Sequence, residues 1–184
     1  MNKFNFIQTK IKHLYIIETN IYGDNRGYFF ESYNKKDFFE AGLTMNFVQD
    51  NESKSKYGVL RGLHYQLPPY TQAKLVRVVK GRVLDVAVDI RKGSPTFGKY
   101  VAVELSEENK LQLFLSKGFA HGFAVLSEEA IFQYKCDEYY APDYEGAICF
   151  DDPDLGIDWR LPLEDIILSE KDKKHPRLRD AILL

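Results

Sequence analysis

Two cysteines in 184 residues, Cys136 and Cys149, are too few for a disulfide framework and lack the paired spacing of a zinc site. No apolar run approaches the roughly eighteen residues of a membrane helix, and Met1–Lys10 has no apolar leader core. The expected location is therefore cytoplasmic, with no membrane partner. A surplus of either charge is also missing. Lys and Arg number 25 against 27 Asp and Glu, and no basic block occurs, so the footprint of a nucleic-acid-binding protein is absent. Neither a Gly-x-Gly-x-x-Gly turn nor a Walker loop is present, which leaves dinucleotide oxidoreductases and P-loop enzymes unsupported. No repeat, low-complexity tract or linker divides the sequence, so one domain spanning 1–184 is expected.

What the sequence does have is aromatic residues and short alternating runs. Thirteen Phe and twelve Tyr suit pleated, half-buried surfaces. From Val83 to Ile90, Leu84, Val86, Val88 and Ile90 fall on one side and Asp85 and Asp89 on the other, the period of a strand with one face free for chemistry. Similar runs occupy Lys74–Lys80, Tyr100–Leu105, Leu111–Leu115 and Ala130–Tyr140, punctuated by Gly81, Gly93-Ser94-Pro95, Gly98 and Gly118. Helical signals are confined to Lys35–Ala41, closed by Gly42, and to Ser169–Lys174. The pattern predicts an all-β, antiparallel jelly roll of cupin-like, double-stranded β-helix type with short peripheral helices, because parallel sheets would need helical crossovers.

Several residues stand out chemically. With Gly62–Gln66 extended, His64 and Gln66 share a face opposite Leu63 and Tyr65; His64 is then either a cavity-facing imidazole or an ordinary packed one. Arg61 and Lys74 favour the cavity, since clustered cations there are costly without an anion. His121 lies within Gly118-Phe119-Ala120-His121-Gly122-Phe123, where glycine permits close backbone approach to a ligand or simply makes a turn. The His-x-His pair of metal-binding jelly rolls is broken at His64-Tyr65-Gln66, so no catalytic metal is expected. Tyr134 shares a face with Ala130 and Phe132, and near a cation its pKa is expected to fall. Ser169-Glu170-Lys171-Asp172 has the form of a capping box, and Asp24-Asn25-Arg26-Gly27 that of a turn.

Read in order, GDNRGYFFESYN (23–34), FVQDNESKSKYGVLRGLHYQ (47–66), KLVRVVKGRVLDVAVDIRKGSPTFG (74–98), LSEENKLQL (105–113), GFAHGFAVLSE (118–128), YKCDEYYAP (134–142) and LSEKD (168–172) closely resemble the dTDP-4-dehydrorhamnose 3,5-epimerase family. The resemblance extends over almost the whole chain, with departures limited to loops such as Leu67–Gln72. It implies a cofactor-independent isomerase that inverts C3 and C5 of a dTDP-4-keto-6-deoxyhexose. His64 would be the base, Asp172 the carboxylate that orients it, Tyr134 the acid, and Lys74, with His121, the neighbour of the keto oxygen. Arg26 and Arg61 would hold the diphosphate, Glu31, Gln49 and Asn51 would place the nucleotide, Tyr140 would stack on thymine, and Glu145 and Lys171 would add further contacts. The family also implies a homodimer whose N-terminal segments cross to the partner. A relative restricted to one carbon and a non-catalytic nucleotide-sugar-binding jelly roll remain as alternatives.

Overall fold

The structure is a computed structural model that describes residues 3–184; Met1 and Asn2, the start of the stretch read above as lacking a leader core, lie outside it. Thirteen strands follow one another along the described chain: β1 (Phe4–Gln8), β2 (Leu14–Thr19), β3 (Tyr22–Asp24), β4 (Gly27–Phe29), β5 (Gln49–Lys56), β6 (Leu60–Gln66), β7 (Lys74–Lys80), β8 (Arg82–Asp89), β9 (Tyr100–Ser106), β10 (Gln112–Leu115), β11 (Phe119–Val125), β12 (Glu129–Cys136) and β13 (Glu145–Ala147). The helix α1 (Lys35–Glu40) sits between β4 and β5.

Strands β5 to β12 form two facing sheets, ordered β5-β12-β7-β10 and β6-β11-β8-β9, with each named pairing antiparallel. This is the jelly roll, in which successive strands change sheets and side chains from both inner faces meet. The first sheet is extended on the β10 side by β2 and β1, the second on the β6 side by β13. β3 and β4 make a separate hairpin whose two-residue tip is Asn25-Arg26.

Three apolar layers result because the sheets are buried on both faces. Between them, Val76, Leu113 and Leu115 meet Val83, Ala87 and Phe123, and Phe132 stacks on Phe123 with centroids 4.2 Å apart. Outside the second sheet, Leu63, Leu84, Val86 and Val88 are covered by Trp159, Leu155 and Leu178 of the C-terminal segment. Outside the first, Leu75 and Phe114 are covered by Phe38 of α1. The helix begins where Asn34 accepts hydrogen bonds from the backbone of Lys36 and Asp37, and Phe4 and Phe6 of β1, with Tyr33, pack edge-on around its Phe38.

The alternation read at Val83–Ile90 therefore has a different meaning from the one expected. Its polar side faces the space between the sheets, and Asp85 and Asp89 are fully buried there. The run expected at Ala130–Tyr140 ends as a strand at Cys136, after which the chain turns over the end of the barrel. No α-helix forms at Ser169–Lys174. A single 3-10 turn covers Asp172–Lys174, with Pro176 closing off further helix. Ser169 Oγ does accept from the Asp172 backbone N–H at 3.0 Å, and the Asp172 carboxylate spans two partners, one oxygen on Ser169 Oγ and the other reaching His64 on β6.

Candidate active site

Apolar packing fills the space between the sheets up to Phe132 and gives way to polar groups two residues later. Tyr134 follows Phe132 on the inner face of β12, next to Val76 of β7 and Asn51 of β5, while Lys74 lies opposite Cys136. From the facing sheet, β6 supplies His64 and Gln66, and β11 sets His121 directly beside His64. Two adjoining cavities of ≈ 290 and ≈ 330 Å³ share His64, Lys74, Tyr134, Asn51 and Glu145, so the two sheets face each other across one cleft.

The close approach of β6 and β11 depends on glycine. A Cβ on Gly62, whose φ is +136°, would lie 2.5 Å from Gly122 Cα, and one on Gly122 would lie 2.7 Å from Arg61 O. The glycines around His121 left close approach to a ligand and a simple turn as equal readings; Gly122 lies within a strand, packs against the neighbouring strand and also lines the cleft.

His64 Nε2 donates to Asp172 Oδ1 at 2.7 Å across a sequence separation of 108, and Ser169 Oγ donates to the other carboxylate oxygen at 2.9 Å. Burial works to raise the Asp172 pKa, but the bonds from His64 and Ser169 overcome it and hold the group below the usual carboxylate range. With Nε2–H committed to Asp172, Nδ1 of His64 keeps its lone pair. His121 Nε2 donates to Asp85 at 2.9 and 3.1 Å from the two oxygens. Desolvation pushes Lys74 below the ordinary lysine range, partly offset by Cys136, Asp85 and Glu145, and its ammonium lies 5.8 Å from the Tyr134 ring centroid.

One expectation is reversed at Tyr134. Burial, with Cys136 second, raises its pKa instead of letting the cation lower it, so the phenol keeps its proton. Cys136, close by, is pushed up to about 11 by burial and is a neutral thiol.

The residues expected at the nucleotide end divide into two groups. Arg61, exposed at the cleft mouth, donates to Ser55 Oγ at 3.2 Å. Gln49 accepts from the Tyr140 backbone N–H at 3.0 Å, and Gln66 holds the same loop by donating to Tyr139 O and accepting from Ala141 N–H, while also donating to Tyr70 O of the β6–β7 connection. Tyr140 donates to Glu145 at 2.8 Å, and Lys171 also donates to Glu145, which raises the lysine pKa; Glu145 itself is lowered because these bonds outweigh its burial. Arg26 and Glu31 do not join them. Arg26 stands at the hairpin tip with its side chain 85% exposed, paired with Asp24 at 2.6 Å, and Glu31 binds Lys3 and Asn34. β3 and β4 pair only with each other among the described strands, and neither Arg26 nor Glu31 lines the cleft that holds His64 and Tyr134.

Sequence reading missed Asp85 as the partner of His121, and His175, whose ring packs edge-on against His64. The polar side of the Val83–Ile90 alternation was the available signal for Asp85. None marked His175.

A family profile described as dTDP-4-dehydrorhamnose 3,5-epimerase matches residues 8–180. A dTDP-4-dehydrorhamnose 3,5-epimerase from Methanothermobacter thermautotrophicus is 52% identical over 98% of this chain and 97% of its own. Among solved structures, the dTDP-4-dehydrorhamnose 3,5-epimerase of Elizabethkingia anophelis superposes with a TM-score of 0.93 at 55% identity, covering 97% of this chain and 98% of that one. A dTDP-6-deoxy-D-glucose-3,5-epimerase of Legionella pneumophila, solved with dTDP-4-keto-L-rhamnose, gives 0.93 at 56% identity, covering 96% and 94%.

Proposed function

Because the chain belongs to the dTDP-4-dehydrorhamnose 3,5-epimerase family, we propose that its cleft inverts C3 and C5 of dTDP-4-dehydro-6-deoxy-D-glucose to give dTDP-4-dehydro-L-rhamnose. The enzyme is an isomerase. The observation that carries the residue assignment is the position of an imidazole and a protonated phenol on opposite walls of one cleft.

A proton on a carbon next to a ketone leaves more readily when the developing charge on the carbonyl oxygen meets a donor. Lys74 serves that oxygen, with His121 beside it, held by Asp85. His64 takes the proton at Nδ1, and the Asp172 carboxylate stabilises the resulting imidazolium while fixing the tautomer. Tyr134 returns a proton to the other face of the ring, which inverts the carbon. The C4 ketone activates both neighbours, so one acid and one base serve C5 and C3 in turn. Arg61 meets the diphosphate, where a guanidinium fork matches paired oxygens; Tyr140 stacks on the base, with Gln49, Asn51, Glu145 and Lys171 around it. Arg26 and Glu31 reach a site only in a homodimer in which each N-terminal segment crosses to the other barrel, and the exposed Tyr22, Tyr28 and Phe29 of the hairpin support such a contact.

Incubation with dTDP-4-dehydro-6-deoxy-D-glucose in deuterated water tests the reaction. Label at both C3 and C5 is the expected result; label at one carbon identifies a single-site epimerase, and binding without label identifies a non-catalytic binder. His64→Ala is expected to lower exchange about 10²–10⁴-fold while dTDP binding stays within a few fold.

A further inference from the structure

His175 has no part in the reaction above, yet it is placed unusually. Its side chain is only 8% exposed, and neither ring nitrogen has a hydrogen-bond partner among the described groups. A buried imidazole with two unsatisfied nitrogens calls for an explanation. The ring stands at 82° to His64 with centroids 5.3 Å apart, and its Nδ1 lies 3.7 Å from Asp172 Oδ1, too far for a hydrogen bond. It is, however, close to the spacing of two ligands on one ion, since donors about 2.0–2.2 Å from a tetrahedral metal sit about 3.3–3.6 Å apart. One ligand atom from each of His64, Asp172 and His175 falls within 4.8 Å of the others.

We propose that His64, Asp172 and His175 form an inhibitory site for a divalent transition metal of the zinc type. Two imidazoles and one carboxylate suit such an ion and suit magnesium or calcium poorly, because those prefer oxygen ligands throughout. The ion enters from the cleft, to which His64 is 31% exposed. It occupies His64 Nε2, one Asp172 oxygen and one His175 nitrogen, leaving its fourth position to water. The proton formerly held between Nε2 and Asp172 moves to Nδ1 of the same ring. The lone pair that would accept the substrate proton is thereby taken up, and the base is blocked without any change in the fold.

The test titrates zinc sulfate into chelator-treated protein by calorimetry, alongside the His175→Ala and His175→Gln variants, with thermal unfolding confirming that each variant is folded. Wild-type protein is expected to bind one zinc per chain, and both variants to bind it about tenfold or more weakly. Solvent exchange into the keto sugar is expected to stop in zinc-loaded wild type, to recover with EDTA, and to continue in the variants at the same zinc concentration. Absence of zinc binding by wild type, or equal binding or inhibition in the His175 variants, overturns the proposal. The inhibition rests on the epimerase reading, but calorimetry reads the metal site without turnover, so failure of one leaves the other measurable.

Discussion

At the scale of single residues, the cleft separates two tasks that a kinetic measurement can also separate. In the proposed mechanism His64, paired with Asp172, would remove a proton, while Tyr134, kept protonated by its burial, would supply one from the other wall. Tyr134→Phe should therefore leave a base that still removes and returns a proton on its own face. Label uptake from deuterated water is expected to persist, while inversion, read by product configuration, falls about 10²-fold or more; equal loss of both would place the phenol elsewhere in the reaction. His64 was legible before the fold because the alternation around Leu63 and Tyr65 turned it inward. Its partner Asp172 came from the family resemblance and not from its own residues, since a capping-box pattern explains Ser169 and Asp172 equally well and the contact spans 108 residues. Asp85 was visible on the polar side of its strand, but its pairing with His121 was not, because the other half of the pair lies on another strand.

At the scale of elements, β6 and β11 meet so closely that the spacing itself is a property of the site. Gly62→Ala would set a methyl group against Gly122 backbone and force an alanine into φ +136°, so a loss of more than about 1 kcal/mol is expected in urea unfolding. Activity should fall further than stability explains, because the wedge separates the strands that carry His64 and His121. The turn after β8 offers a second measurement. Burial would raise the Asp89 pKa, but Arg91, Ser94 and Thr96 bond it and bring it down to about 2. A depressed folded pKa gives stability that is fully present above the unfolded value near 4 and lost as pH falls towards 2. Asp89→Asn should cost about 2 kcal/mol at pH 7, and the gap from wild type should narrow below pH 4 in denaturant titrations. Strand positions such as Lys74–Lys80 were readable from period alone, whereas the end of β12 and the turn at Asp172 were set by tertiary contacts that period does not record.

At the scale of the whole molecule, the position of Arg26 decides whether one chain makes a complete site. It is at the tip of a hairpin that pairs with nothing else among the described strands, as its turn-like context suggested, although the family resemblance implies that it holds the diphosphate. If segments cross between two copies, His64→Ala and Arg26→Ala chains, each weak alone, should recover activity on mixing and exchange. Random pairing makes half the dimers mixed, each with one intact site, so about a quarter of wild-type activity is expected. Failure to recover, with sedimentation showing mixed dimers, would assign Arg26 to its own chain or to no site.

The order of the chain also has a consequence for the way this enzyme comes into being. All eight strands of the jelly roll have been synthesised by Cys136, but Asp172 follows 36 residues later. A growing polypeptide can thus bring together the strands that carry His64, Lys74, His121 and Tyr134 while the imidazole still lacks its carboxylate, since segments made first can fold first. The residues that close the cleft, Glu145 and Lys171 among them, arrive with that carboxylate in the last stretch of the chain.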